Sequence, residues 1–178
     1  SEPVTSVELA VPRLGVDVVK AIALAFETSD RVSSALGGIV DTLSQHALEV
    51  AAICRNFAAN VAERELAFTV GLMHDVGLLV KLALGDSPIS FVHHHNGEPG
   101  SPKLGAYILG LWGLPQPIVE AVAYQDDPGQ IRTEPNLARW VHVASRVAMD
   151  QPVEDENAAE LVHIARAAYG RIRRVTAA

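Results

Sequence analysis

The run ELAFTVGLMHDVGLLVKLAL, residues 65–84, is the stretch that most constrains the fold of this chain. Leu66, Phe68, Val70, Leu72, Met73, Val76, Leu78, Leu79, Val80 and Leu82 leave no polar face. A helix that is apolar all round has to be buried. Its middle carries adjacent His74 and Asp75, side chains that rarely enter a core without a partner. The run is broken by His74, Asp75 and Lys81, so it is expected as a core helix and not a membrane span.

A chain of 178 residues, 49% hydrophobic and 20% charged, can bury a substantial core as one domain. Its formal charge of −7 disfavours a broad phosphate-binding face, so no nucleic-acid partner is expected. Cys54 is the single cysteine; it excludes an internal disulfide and suits a reducing cytoplasm. No basic, then apolar, N-terminal signal stands at the start, and no membrane association is expected. The sequence carries no signal for an oligomeric state.

Helical spacing recurs along the chain, and no segment sustains alternation of period two. Short helices are expected near residues 6–14 and 17–27, as lead-in elements within residues 1–38. A long amphipathic helix is expected over about 39–62, its face formed by Val40, Leu43, Ala47, Val50, Ala51, Cys54, Ala58 and Val61 with His46 beside it. It should pack antiparallel to the central helix. Residues 85–102, rich in glycine and proline, read as a loop carrying His93, His94 and His95. Further helices are expected over 103–112, 116–124, 136–149 and from Asn157 onward. The fold class is therefore all-α, a compact bundle of roughly seven helices in a single domain over 1–178.

His74 and Asp75 point about 100° apart on a helix, so a shared metal needs side chains from other helices. His46 on the preceding antiparallel helix is placed to supply one. The alternative is a hydrogen-bonded core pair without metal. The histidine triplet reads as a solvated loop that scavenges metal adventitiously, or as a supplement to that site. Trp112 and Trp140 read as core anchors, His142 and His163 as structural or surface groups, and Cys54 as inert.

GLMHDVGLL at 71–79, preceded by SQHALEVA and followed by LGAYILGLWGLPQPIVEAVA, resembles the HDOD domain, the HD-related output domain of bacterial signalling proteins. The similarity covers about residues 6–150. The start at residues 6–24 is similar to that family's link between its N-terminal helices and its HD-like half, which implies a chain beginning partway into a longer protein. HD phosphohydrolases use a His, an adjacent His-Asp pair and a distant Asp as metal ligands. The resemblance assigns His46, His74 and Asp75 to the first three positions and Ser145 to the fourth, where related chains carry Asp. Ser101, Tyr124 and Gln125 stand where related chains tend to carry His. The resemblance thus implies a vestigial metal site, no cofactor beyond a residual divalent metal, and a non-catalytic signalling module. Its partners would be signalling proteins or an attached sensor or receiver domain. The alternative is a metal-dependent phosphohydrolase acting on a nucleotide or cyclic dinucleotide, with Lys103 or Arg139 on phosphate. A third reading is a pocket that binds a small ligand without turning it over.

Overall fold

The computed structural model describes residues 38–39, 41–83 and 101–176. The helices expected near 6–14 and 17–27 and the loop carrying His93–His95 lie outside the described residues. Among those described, the chain is helical with no strand. Residues 41–54 form α1. Six helices follow: α2 (Val61–Met73), α3 (Val76–Ala83), α4 (Ser101–Leu111), α5 (Gln116–Ala123), α6 (Leu137–Ala148) and α7 (Ala159–Thr176). Short 3-10 turns at Pro128–Gln130 and Glu156–Ala158 lead into the last two. No described helix is long and apolar enough to cross a membrane.

The helix expected over 39–62 ends earlier. The Asn56 amide takes the Ala52 carbonyl at 2.7 Å, an oxygen left open at a helix end. Asn60 then caps α2 by accepting from the Glu63 N–H at 3.0 Å. Glu63 reaches back to accept from the Ala59 N–H at 2.8 Å, one residue before the cap, and from the Asn60 side-chain amide at 2.8 Å, a variant of the capping box. The antiparallel packing of α1 on α2 holds. Gly71 sits against Ala51, where an added Cβ would lie 2.6 Å from the Ala51 Cα. His74, just past the end of α2, faces His46, further back along α1.

The central run is two helices and not one. It breaks at His74-Asp75, whose residues form a turn between α2 and α3. The Asp75 carbonyl starts α3 by accepting from Leu78 and Leu79 at 3.0 and 3.1 Å. Periodicity could not reveal the break, because both halves are apolar on most sides.

The main core joins all seven helices, α3 through Val76 at its start and the others through Val50, Ile53, Val70, Leu109, Val122, Val141 and their neighbours. Trp140 is buried there against Phe57, ring centroids 5.9 Å apart, and Trp112 packs at its margin. A smaller cluster of Leu43, Leu78 and Leu82 seats α3 on α1. The Trp-Gly-Leu-Pro turn after α4 is a Schellman closure. Gly113 adopts φ 73°, its N–H donates to Gly110, and the Leu114 N–H donates to Leu109.

Candidate functional site

The site is built where α1, the α2–α3 break and α6 meet. His74 is only 3% exposed. Its Nδ1 lies 2.7 Å from the Gly71 carbonyl. A carbonyl only accepts, so Nδ1 carries the hydrogen. That leaves Nε2, which lies 3.1 Å from Asp75 Oδ2, close enough for an ion pair but without hydrogen-bond alignment. Burial disfavours a charged imidazole, but Asp75, the Gly71 carbonyl and Asp126 outweigh it and raise the His74 pKa above its ordinary value.

His46 approaches from α1. Its ring meets His74 edge-on, centroids 5.3 Å apart and planes at 62°. Its Nε2 is 3.2 Å from the Ser145 hydroxyl, a bond that spans 99 residues of sequence. Ser145 is itself buried, at 8% exposure, on the inner face of α6. One ligand-type atom each from His46, His74 and Asp75 lie within 4.8 Å of one another. The structure thus brings together the three residues singled out in the sequence and sets Ser145 beside them.

The other positions have different tasks. Gln125 is buried and donates from Nε2 to the His74 carbonyl at 2.9 Å. It closes the backbone oxygen exposed by the helix break. The Gln125 carbonyl in turn lies 2.8 Å from His142 Nδ1, which makes His142 structural. Sequence reasoning treated Gln125 only as a lost ligand, and a hydrogen bond across 51 residues leaves no local signal of its real role. Tyr124 ends α5 and is exposed. Ser101 opens α4, its carbonyl pressed on Gly77. Arg139, weighed as a phosphate contact, donates to Asp155 at 2.9 Å and pairs with Glu134 at 3.6 Å. Partial burial raises the Asp155 pKa, but the Asn157 N–H and Arg139 outweigh it and hold that carboxyl below its ordinary value. Lys103 and His163 are exposed. Cys54 is fully buried, which pushes its thiol far above its ordinary pKa and leaves it unreactive.

Removing the Gln125 amide should be felt at the break. Gln125→Ala leaves the buried His74 carbonyl without its donor and is expected to cost about 1–3 kcal/mol. Gln125→Glu turns an acceptor toward that carbonyl and should cost more. Urea unfolding midpoints check both, and equal stability of all three proteins would refute the capping role.

Residues 1–128 match the family model of the HDOD domain. The chain belongs to the HDOD family. Among curated proteins and solved structures, none matches it. The HDOD match takes in His46, His74 and Asp75 and ends before α6, so Ser145 enters the site from outside the matched residues.

A divalent ion implied by the HD relationship can be tested against these side chains. Two observations suit one: His74 fixes its Nδ1 hydrogen on a backbone carbonyl, as metal-binding histidines do, and its buried Nε2 lies 3.1 Å from the Asp75 carboxylate. The donor set does not fit a closed site. It offers two imidazoles and one carboxylate, and the next side chain at His46 is a neutral hydroxyl, a poor ligand for transition metals. His46 Nε2 is engaged by that hydroxyl, and the Asp75 carboxylate lies against His74.

Proposed function

We propose that this HDOD chain is a non-catalytic output module of signal transduction that acts through protein–protein contacts. The observation that carries the reading is the His46–Ser145 hydrogen bond, where the family relationship leads one to look for a metal-bound carboxylate. The cluster then serves as a clasp. It ties α1 to α6 and stabilises the turn between α2 and α3, giving a partner a rigid scaffold. Tyr107 and Leu111, one turn apart on α4 and 65% and 69% exposed, support a role in binding protein. The partner class is a sensor or receiver domain of a bacterial, cytoplasmic signalling protein.

The second reading, a metal-dependent phosphohydrolase, is favoured by the three-donor cluster itself, in which one ligand-type atom each from His46, His74 and Asp75 lie within 4.8 Å of one another. Metal analysis and a phosphoester panel separate the two. Untagged protein, after chelation and dialysis against iron, manganese, nickel or zinc, is expected to retain well under about one equivalent of any of them. It should release no phosphate from mononucleotides or cyclic dinucleotides. Stoichiometric metal that disappears in His74→Ala, or turnover abolished by Asp75→Asn, would sink the non-catalytic reading.

A further inference from the structure

We infer that the outward face of α7 is a twofold contact between two copies of this chain, with the two α7 helices antiparallel and Glu160 of each copy set against Arg174 of the other. α7 lies beyond the residues that match the HDOD family model, and the inference stands apart from the non-catalytic reading. Packing fixes which face points outward. Ala165 and Ala168 are buried, and Leu161 and Ile172 pack on the main core. At about 100° per residue, Glu160, His163, Ala167, Gly170, Arg171 and Arg174 fall on the opposite side, and all of them are exposed. A Cβ added at Gly170 would meet no atom within 4 Å.

Charge is divided along this face. Glu154, Glu156 and Glu160 are exposed before and at its start, Arg171 and Arg174 stand near its end, and no Asp or Glu follows Glu160. The macrodipole favours acids at the start of a helix and cations at its end, but it does not choose the face they occupy. Arg171 donates to Asn56 on the α1–α2 corner at 3.1 Å, whereas neither Glu160 nor Arg174 joins an ion pair among the described residues. Glu160 and Arg174 lie seven residues to either side of Ala167. On one helix they are about 21 Å apart and cannot reach each other. A second α7 laid antiparallel across Ala167 brings each opposite its complement, at both ends of the contact, and sets His163 opposite Arg171. A parallel arrangement sets like charge against like. A purely acidic or purely basic partner would match only one half of the face, so the occupant that fits is a second copy. Ala167 and Gly170 put no bulk at the crossing and let the two backbones approach. The face is about 27 Å long and about 10 Å wide, so the contact buries less than about 1,000 Å² and belongs to the weak, transient class. Its exposed ion pairs are screened by salt.

The test is sedimentation velocity of the full chain from about 10 μM to about 1 mM, at low and at high salt. The unaltered protein is expected to pass from monomer to dimer across that range at low salt and to shift back toward monomer at high salt. Glu160→Arg and Arg174→Glu each place like charges opposite each other at both ends, and each should weaken self-association about tenfold or more. Both positions are exposed, so both variants should fold, and urea midpoints check that they do. An equimolar mixture of the two variants restores opposite charges at every pair and should dimerise at least as well as the unaltered protein. Lys103→Glu, which alters net charge by the same amount as Arg174→Glu but lies on α4, should leave the dimer unchanged. A chain that stays monomeric throughout overturns the inference. So does a dimer that neither reversal weakens, or a mixture of folded variants that fails to associate.

Discussion

Gly77→Ala is expected to remove a large share of the stability of this domain. A Cβ at Gly77 would strike the Ser101 carbonyl oxygen and lie 2.6 Å from the Gly105 nitrogen, both backbone atoms of α4. Neither can swing aside as a flexible side chain would. The reciprocal position is less tight: a Cβ at Gly105 meets the Gly77 nitrogen at 3.1 Å and the ends of Val76 and Val122 at 3.2 and 3.3 Å. Relief at Gly77 requires α4 to withdraw from α3, which pulls Ala106 and Leu109 out of the main core. Overpacking of this kind costs about 3 kcal/mol or more where backbone must move, out of roughly 5–15 kcal/mol available to a domain. Gly105→Ala should cost less, and Gly110→Ala, whose Cβ would enter open space, should gain about 0.5–1 kcal/mol from helix propensity. Urea midpoints of the three variants check the order. A Gly77→Ala protein as stable as Gly110→Ala would show that the α3–α4 contact is not close-packed.

That glycine closes the His-Asp-x-Gly motif, and its role shows what a sequence can and cannot reveal. The amphipathic faces of α1 and α6 were legible because their apolar residues repeat at helical spacing. The turn after α4 was legible because Gly113 and Pro115 are local signals. The meeting of His46 with His74 followed from two adjacent antiparallel helices. The break at 74–75 was hidden, because the run is apolar on both sides of it and a period count cannot distinguish one buried helix from two. The early end of α1 had a local signal in Asn56, Asn60 and Glu63, which the longer apolar pattern overrode. Gln125 and Ser145 were noticed only for the ligands they lack. Their bonds to His74 and His46 join distant parts of the chain, and nothing in the flanking residues specifies such a partner.

Asn136→Ala should be nearly as damaging as Gly77→Ala, for a different reason. Asn136 is 1% exposed, and its side chain satisfies three backbone groups. Oδ1 accepts from the Arg139 N–H at 2.9 Å and caps α6, while Nδ2 donates to the Pro128 and Ile131 carbonyls at 3.0 Å each. Alanine deletes the cap, worth about 1 kcal/mol, and leaves the Ile131 carbonyl without that donor at about 1–3 kcal/mol if water does not reach it, while the Pro128 carbonyl keeps the Ile131 N–H at 3.2 Å. A total of about 2–4 kcal/mol is expected by urea unfolding. Asn136→Asp separates the contributions, because it retains the capping acceptor but sets a carboxylate against two carbonyls. Its charged form is disfavoured in the folded state, so the folded pKa lies above the unfolded value of about 3.9. Stability of that variant should then fall as pH rises through the folded pKa and return toward the unaltered protein's as pH is lowered. Since α6 also carries Ser145, weaker seating at its start should loosen the His46 contact and speed amide exchange in the turn at 74–75. A loss below about 1 kcal/mol in Asn136→Ala would mean that the cap alone matters and that water serves the Ile131 carbonyl.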